Sequence, residues 1–141
     1  MKKIYLASPY SSPDPIVRNS RVELASIIAA RLMEQGYVVF SPITHGHSVA
    51  DHLHHRNAHS HEFWMKQCLP MLEASDCMMI LPIDGWRESR GLAEERDFAH
   101  AKRIPFLIWQ TGLSPDFELL DDEEIEICNL SAFRDTAKET L

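Results

Sequence analysis

Apolar residues along this chain fall in short blocks separated by polar, proline-containing joints. Ile4 to Ala7 is one such block, ended by Ser8-Pro9-Tyr10-Ser11-Ser12-Pro13, and predicts a fully buried strand followed by a loop. Asp14-Pro15 then reads as a helix N-cap with proline at the first helical position, and Leu24, Ile27, Ile28 and Leu32 recur at helical spacing until Gly36. Tyr37 to Phe40 is β-branched and aromatic and predicts a second strand, closed by Ser41-Pro42. From about Ile43 to Glu62 the chain is polar and crowded with histidine, which predicts a long irregular stretch of the kind that serves as a functional lid or is disordered. Phe63 to Leu72 predicts a helix with Pro70 near its end, Cys77 to Leu81 a third strand, Gly91 to Lys102 a helix and Ile104 to Trp109 a fourth strand. Ile125 to Cys128 is a candidate fifth strand beyond the acidic turn Asp121-Asp122-Glu123-Glu124, and Ser131 to Thr140 has helical composition.

Strands alternating with helices imply crossover connections and a sheet covered on both faces. The expected fold is therefore an α/β three-layer sandwich, flavodoxin-like or Rossmann-like, with a mostly parallel sheet of four or five strands. A length of 141 residues with 45% hydrophobic content suits one domain, 1–141, with a core that needs neither disulfide nor metal. The net charge of −7 argues against a surface for nucleic-acid backbone and favours a small-molecule ligand. Three separated cysteines, Cys68, Cys77 and Cys128, imply no disulfide framework and read as buried thiols. With no apolar run of signal-peptide or membrane-spanning length, the expected location is the cytoplasm, away from membranes.

In parallel sheets, ligands bind beyond the carboxyl ends of the strands, so the loops to inspect are Ser8 to Ser12, Pro42 to His47 and Pro82 to Gly91. The third supplies an acid, Asp84, a flexible joint, Gly85, and a flat aromatic, Trp86, before Ser89-x-Gly91 leads into the next helix. On a helical wheel Glu95 falls among Leu92, Phe98 and Ala99, with Glu94 nearer the edge. A carboxylate near the start of a helix and aimed at an apolar sheet is either a working group or a partner for backbone amides or an arginine. Ser89 reads as an N-cap that could also touch ligand, Asp84 as an acid or a turn residue, and Trp86 as a stacking or a packing residue. Arg21, on the first helix, and Arg87 are the local cations that could meet a phosphate, or they lie on solvated faces.

The first strand Ile4-Tyr5-Leu6-Ala7-Ser8-Pro9, the third strand ending near Asp84-Gly85, the spacing Ser89-x-Gly91-x-x-x-Glu95 and the following Ala99 together resemble the nucleoside 2-deoxyribosyltransferase superfamily, which includes nucleoside 5′-monophosphate N-glycosidases. The likeness runs from about Lys3 to Trp109, and the string Gly85 to Gly91 is closer still to a small bacterial and phage branch. The resemblance implies that Glu95 is a nucleophile, Asp84 a sugar-contacting acid and Tyr5 a neighbour of the nucleophile. It also implies that Ser8 and Ser89 stand where nucleotide-specific members hold a 5′-phosphate. Two departures bear on activity: Glu88-Ser89-Arg90-Gly91 replaces the Asp-Ser-Gly-Thr-like approach of the transferases, and the glycine-rich first loop of the nucleotide glycosidases is missing. The expected activity is N-glycosidic cleavage or base exchange on a nucleoside or its monophosphate, without a cofactor. The alternative is a non-catalytic nucleotide-binding or sensor module of the same fold. The resemblance further implies a homo-oligomer, dimer or tetramer.

His45, His47, His52, His54, His55, His59 and His61 crowd the span before the second helix, but no H-E-x-x-H pattern or cysteine joins them, so no catalytic metal is expected. His45 and His47, nearest the end of the second strand, are candidates for contact with base or sugar, and the others for a mobile lid or subunit contact. Phe63 and Trp64 read as core residues of the following helix in preference to stacking residues.

Overall fold

The computed structural model describes residues 2–108. Strand β1, Lys3–Ala7, leads through the proline-rich loop to helix α1, Pro15–Glu34, and back to strand β2, Val38–Phe40. Asp14 caps α1 as its sequence predicts, accepting from the Ile16 amide at 2.9 Å with Pro15 beginning the helix. The face of α1 turned to the sheet carries Leu24, Ala25, Ile28, Ala29 and Leu32, the three-and-four spacing of a single helical stripe.

The region 43–62, expected to be irregular, is mostly helical. Helix α2 spans Pro42–Ala50, α3 is the short turn His55–Ala58 and α4 runs His61–Glu73. The reason is local: Ser41-Pro42, read as the end of a strand, is also an N-cap and first helical residue, the same device as Asp14-Pro15. The Ser41 hydroxyl accepts from the Thr44 amide at 3.3 Å, and Ser60 repeats the cap at α4, accepting from Phe63 at 3.1 Å. Trp64 ties the three helices together instead of entering the core. Its indole N–H donates to the Ala58 carbonyl at 2.9 Å, and its ring lies so close to Gly46 of α2 that a Cβ there would stand 3.2 Å from it. The half-buried Phe63 packs edge-on against it.

Strand β3, Cys77–Ile80, a 3-10 turn at Trp86–Glu88, helix α5, Arg90–Ala101, and strand β4, Phe106–Ile108, complete the described chain. The sheet order is β2-β1-β3-β4 and every pairing is parallel, with Tyr5 opposite Met78 on one side and Phe40 on the other. This is the flavodoxin-like α/β sandwich that the alternation of strands and helices predicts. Alternation along each strand splits the core in two. Ile4, Leu6, Cys77, Met79 and Leu107 pack toward α1, while Tyr5, Ala7, Met78 and Ile80 pack toward α4 and α5 with Cys68, Leu72, Leu92 and Ala99. From β1 the chain moves one way to β2, and from β3 the other way to β4, so the strand order reverses between β1 and β3. A crevice beyond the carboxyl ends of those two strands is where such folds take ligands. The candidate fifth strand at Ile125 to Cys128 and the last helix lie outside the described residues.

Candidate active site

Tyr5 reaches from the sheet to the helix that covers it. It stands on the central strand β1, fully buried, and its hydroxyl donates to Oε2 of Glu95 in the second turn of α5. Glu95 is 5% exposed while its neighbour Glu94 is at the surface, as the helical wheel predicts. Burial pushes the Glu95 carboxyl up to about 7, the Tyr5 hydrogen bond pulls it down, and the charge of Glu94 adds a smaller upward push. Tyr5 itself is driven far above the ordinary phenol range, first by burial and then by the carboxylate beside it. The phenol is therefore a fixed hydrogen-bond donor, and the carboxyl is the group of the pair that titrates near neutrality.

The other carboxylate oxygen faces the start of α5. A Cβ placed on Gly91 would lie 4.0 Å from Glu95 Oε1, 3.9 Å from the Ser89 hydroxyl oxygen and 3.8 Å from Met65 Cε, so these groups border one small volume that glycine leaves open. Ser89 caps α5, its oxygen accepting from the Leu92 amide at 3.2 Å. That cap uses a lone pair and leaves the hydroxyl proton to donate.

A third buried side chain adjoins this pair, one that the sequence alone does not assign to the chemistry. Cys68 of α4 lies beside the Tyr5 hydroxyl, and burial followed by the charge of Glu95 pushes its thiol up to about 11, against a downward pull from Tyr5. At neutral pH it is a protonated thiol beside the phenol that donates to the carboxylate. The signal that could have found it is the stripe Met65, Cys68, Leu69 and Leu72, which turns Cys68 toward the sheet.

The loops beyond the strands carry the remaining predicted residues. Ser8, at the end of β1, is buried, and its hydroxyl has no hydrogen-bond partner among the described residues. Asp84 is exposed, and its carbonyl, not its carboxylate, accepts from Arg21 Nη2 at 2.9 Å. Arg21 Nη1 also donates to the carbonyls of Ser11 at 2.9 Å and Tyr10 at 3.2 Å. Trp86 is half-buried against the Tyr5 side of the core with the Arg87 guanidinium 5.0 Å from its ring centre. His47 of α2 shares a 2.6 Å hydrogen bond with the Tyr10 hydroxyl, whereas His45 is exposed with its ring against Phe40. Tyr10 is itself raised above the usual phenol range, by burial first, with Arg18 pulling the other way.

The structure thus brings Tyr5, Glu95, Gly91 and Ser89 together and holds Asp84 and Trp86 on the adjoining loop. The histidines do not converge. His61 bonds Glu94 and His55 stacks edge-on with His59 at 4.4 Å between ring centres; among the described residues no group of three His, Cys, Asp or Glu side chains could hold a metal ion. No helix among the described residues is long and apolar enough to cross a membrane.

Comparison with known proteins places this geometry in context. The family model described as Domain of unknown function (DUF1937) matches residues 2–111. No curated protein matches. Among solved structures, a 2-deoxyribosyltransferase from the psychrotolerant bacterium Bacillus psychrosaccharolyticus is similar at 24% identity, over 88% of this chain and 80% of that one, with a TM-score of 0.53. The likeness at that identity is one of fold.

Proposed function

The chain belongs to the DUF1937 family, and we propose that it cleaves the N-glycosidic bond of a nucleoside or nucleoside 5′-monophosphate, with Glu95 as nucleophile. The observation that carries this reading is the buried Tyr5–Glu95 pair, a carboxyl with one oxygen held by a phenol and the other facing the ligand end of the sheet. The fold shared with a 2-deoxyribosyltransferase supports the same class of chemistry.

In this mechanism the ionised Glu95 Oε1 attacks the anomeric carbon. The carbon–nitrogen bond breaks, its electron pair leaves with the base, and the base takes up a proton from water, which is restored to solvent when water attacks in the next step. Positive charge on the sugar ring in the transition state is stabilised by the carboxylate in a site of low polarity. Water then attacks the glycosyl ester, releasing the free sugar and Glu95; a second base in place of water gives exchange. Tyr5 keeps Glu95 oriented throughout. Asp84 contacts the sugar, Ser8 and Ser89 the sugar's 5′ end, and Trp86, His45 and His47 border the base.

The test is a panel of nucleosides and nucleoside 5′-monophosphates, with and without a second free base, followed by chromatography of released base. Turnover that disappears in Glu95→Ala is the expected result. Turnover unchanged by that substitution would overturn the mechanism, and tight binding of a nucleotide with no turnover anywhere in the panel would make the chain a binding module.

A further inference from the structure

Arg21 is the one side chain described above whose hydrogen bonds join the loop after β1 to the loop after β3. Those loops are the walls of the crevice at the reversal of strand order. Its guanidinium donates to the carbonyls of Tyr10 and Ser11 on one wall and of Asp84 on the other, at 2.9–3.2 Å. A planar fork with donors on several edges suits this role, because it can satisfy carbonyls from different directions at once. The next residue along the second wall is Gly85, with φ +93, where a Cβ would stand 2.5 Å from Arg21 Nη2. Glycine at 85 is required for the left-handed turn, and it also leaves room for the approach of the guanidinium.

We propose that Arg21 and Gly85 form a clamp that sets the width of the crevice, making Arg21 a positioning residue for substrate binding and not a ligand for a 5′-phosphate. The inference rests on the N-glycosidase reading for what the crevice holds, but the clamp itself is a property of the two loops. Arg21 meets Asp84 through its main chain, so the clamp fixes where the exposed Asp84 carboxylate and the neighbouring Trp86 sit relative to Ser8 on the opposite wall. The Tyr5–Glu95 pair is anchored in β1 and α5, outside both loops, so loosening the clamp weakens binding more than it slows the chemical step.

Two variants break the clamp by different routes. Arg21→Met removes the fork, and Gly85→Ala pushes the guanidinium away while leaving it in the protein and also strains the turn at φ +93. Each is expected to raise KM about tenfold, for a nucleoside and for its 5′-monophosphate alike, with a smaller change in kcat. The double variant is expected to be no worse than the more severe single, since both remove the same interaction. A KM increase confined to the monophosphate in Arg21→Met would overturn the proposal and make Arg21 a phosphate ligand, and independent, multiplicative losses in the double variant would also overturn it.

Hydrogen exchange separates this inference from the function it rests on. In Arg21→Met, which leaves the turn at Gly85 untouched, the amides of Trp86 and Ser89, bonded within the second wall at 3.0 and 3.4 Å, are expected to exchange about tenfold faster or more, while those of α1 and β1 keep their protection. Unchanged exchange in that wall would sink the clamp even if the protein is an N-glycosidase. Faster exchange in a protein that turns over nothing would sustain the clamp while the enzymatic reading fails.

Discussion

The two faces of the sheet are made from the same strands and differ only in which alternate residues they receive. Toward α1, Ile4, Leu6, Met79 and Leu81 meet Leu24, Ile28 and Leu32 in a core of carbon and sulfur. Toward α4 and α5, the same strands present Tyr5, Ala7, Met78 and Ile80, and this layer admits a phenol hydrogen-bonded to a carboxyl, with a thiol beside them. Each face buries a cysteine whose thiol burial raises to about 11. Around Cys77 the charges are those of Lys2 and Asp76, both at the surface; beside Cys68 stands the buried Glu95. The comparison teaches that burial alone does not mark a site here. The mark is a buried group that titrates near neutrality beside a donor that does not.

The largest expected break in this contrast is Glu95→Gln, which should lower turnover by about a thousandfold or more, measured as released base at saturating substrate. The same variant should be more stable than the parent in alkaline buffer. Because the folded pKa of Glu95 is raised from about 4.5 to about 7, its contribution is fully present below the lower value and is lost as pH climbs through the upper one, a loss of about 3 kcal/mol by pH 8. Urea unfolding of both proteins at pH 5 and pH 8 checks this: the parent should lose ground to the variant only at the higher pH. On the other face, Leu6→Ala should cost about 2–5 kcal/mol of stability by urea unfolding and leave the pH dependence of kcat/KM where it was.

Tyr5→Phe is a smaller perturbation that sharpens the assignment of roles. Activity should rise with pH through the ionisation of Glu95, with an acid limb near 7 in the parent. The Tyr5 hydrogen bond holds that value down, so its loss should move the limb upward and lower kcat by about tenfold. A limb that moves downward would contradict the donor role of the phenol. Smallest of all is the pair of cysteine variants. Cys68→Ala removes the thiol beside the Tyr5–Glu95 pair and should shift the limb by less than Tyr5→Phe does, whereas Cys77→Ala should leave the limb unmoved and register only as lost stability.

Most of this architecture is readable from the chain, because its signals are local. Asp14-Pro15 announces α1, the short apolar blocks announce buried strands, and the wheel for α5 separates Glu95 from Glu94 before any tertiary contact is known. The helices of the histidine-rich span escape because Ser41-Pro42 ends one element and begins another, and polar side chains blur the helical period around Ile43 and Gly46, the buried positions of α2. The contact of Cys68 with Tyr5 escapes for a different reason. Nothing in the spacing of α4 says which strand it will cover, and that meeting is decided by how three elements pack. Arg21 shows the same limit: its charge invites a phosphate, while its partners are carbonyls that any sequence would supply.

Tyr5 and Glu95 stand 90 positions apart along the chain, on the first strand and the last described helix. Every strand pairing in the described sheet is also parallel, so the neighbours of β1 arrive only after long crossovers. Contacts of such sequence separation are slow to form, because loop-closure entropy is lost before any of them contributes stability. The pair is thus expected to form late in folding, once β1, β3 and α5 have docked. In refolding from urea, recovery of activity should follow the slowest spectroscopic phase, and chains that have regained most of their helix should still be inert.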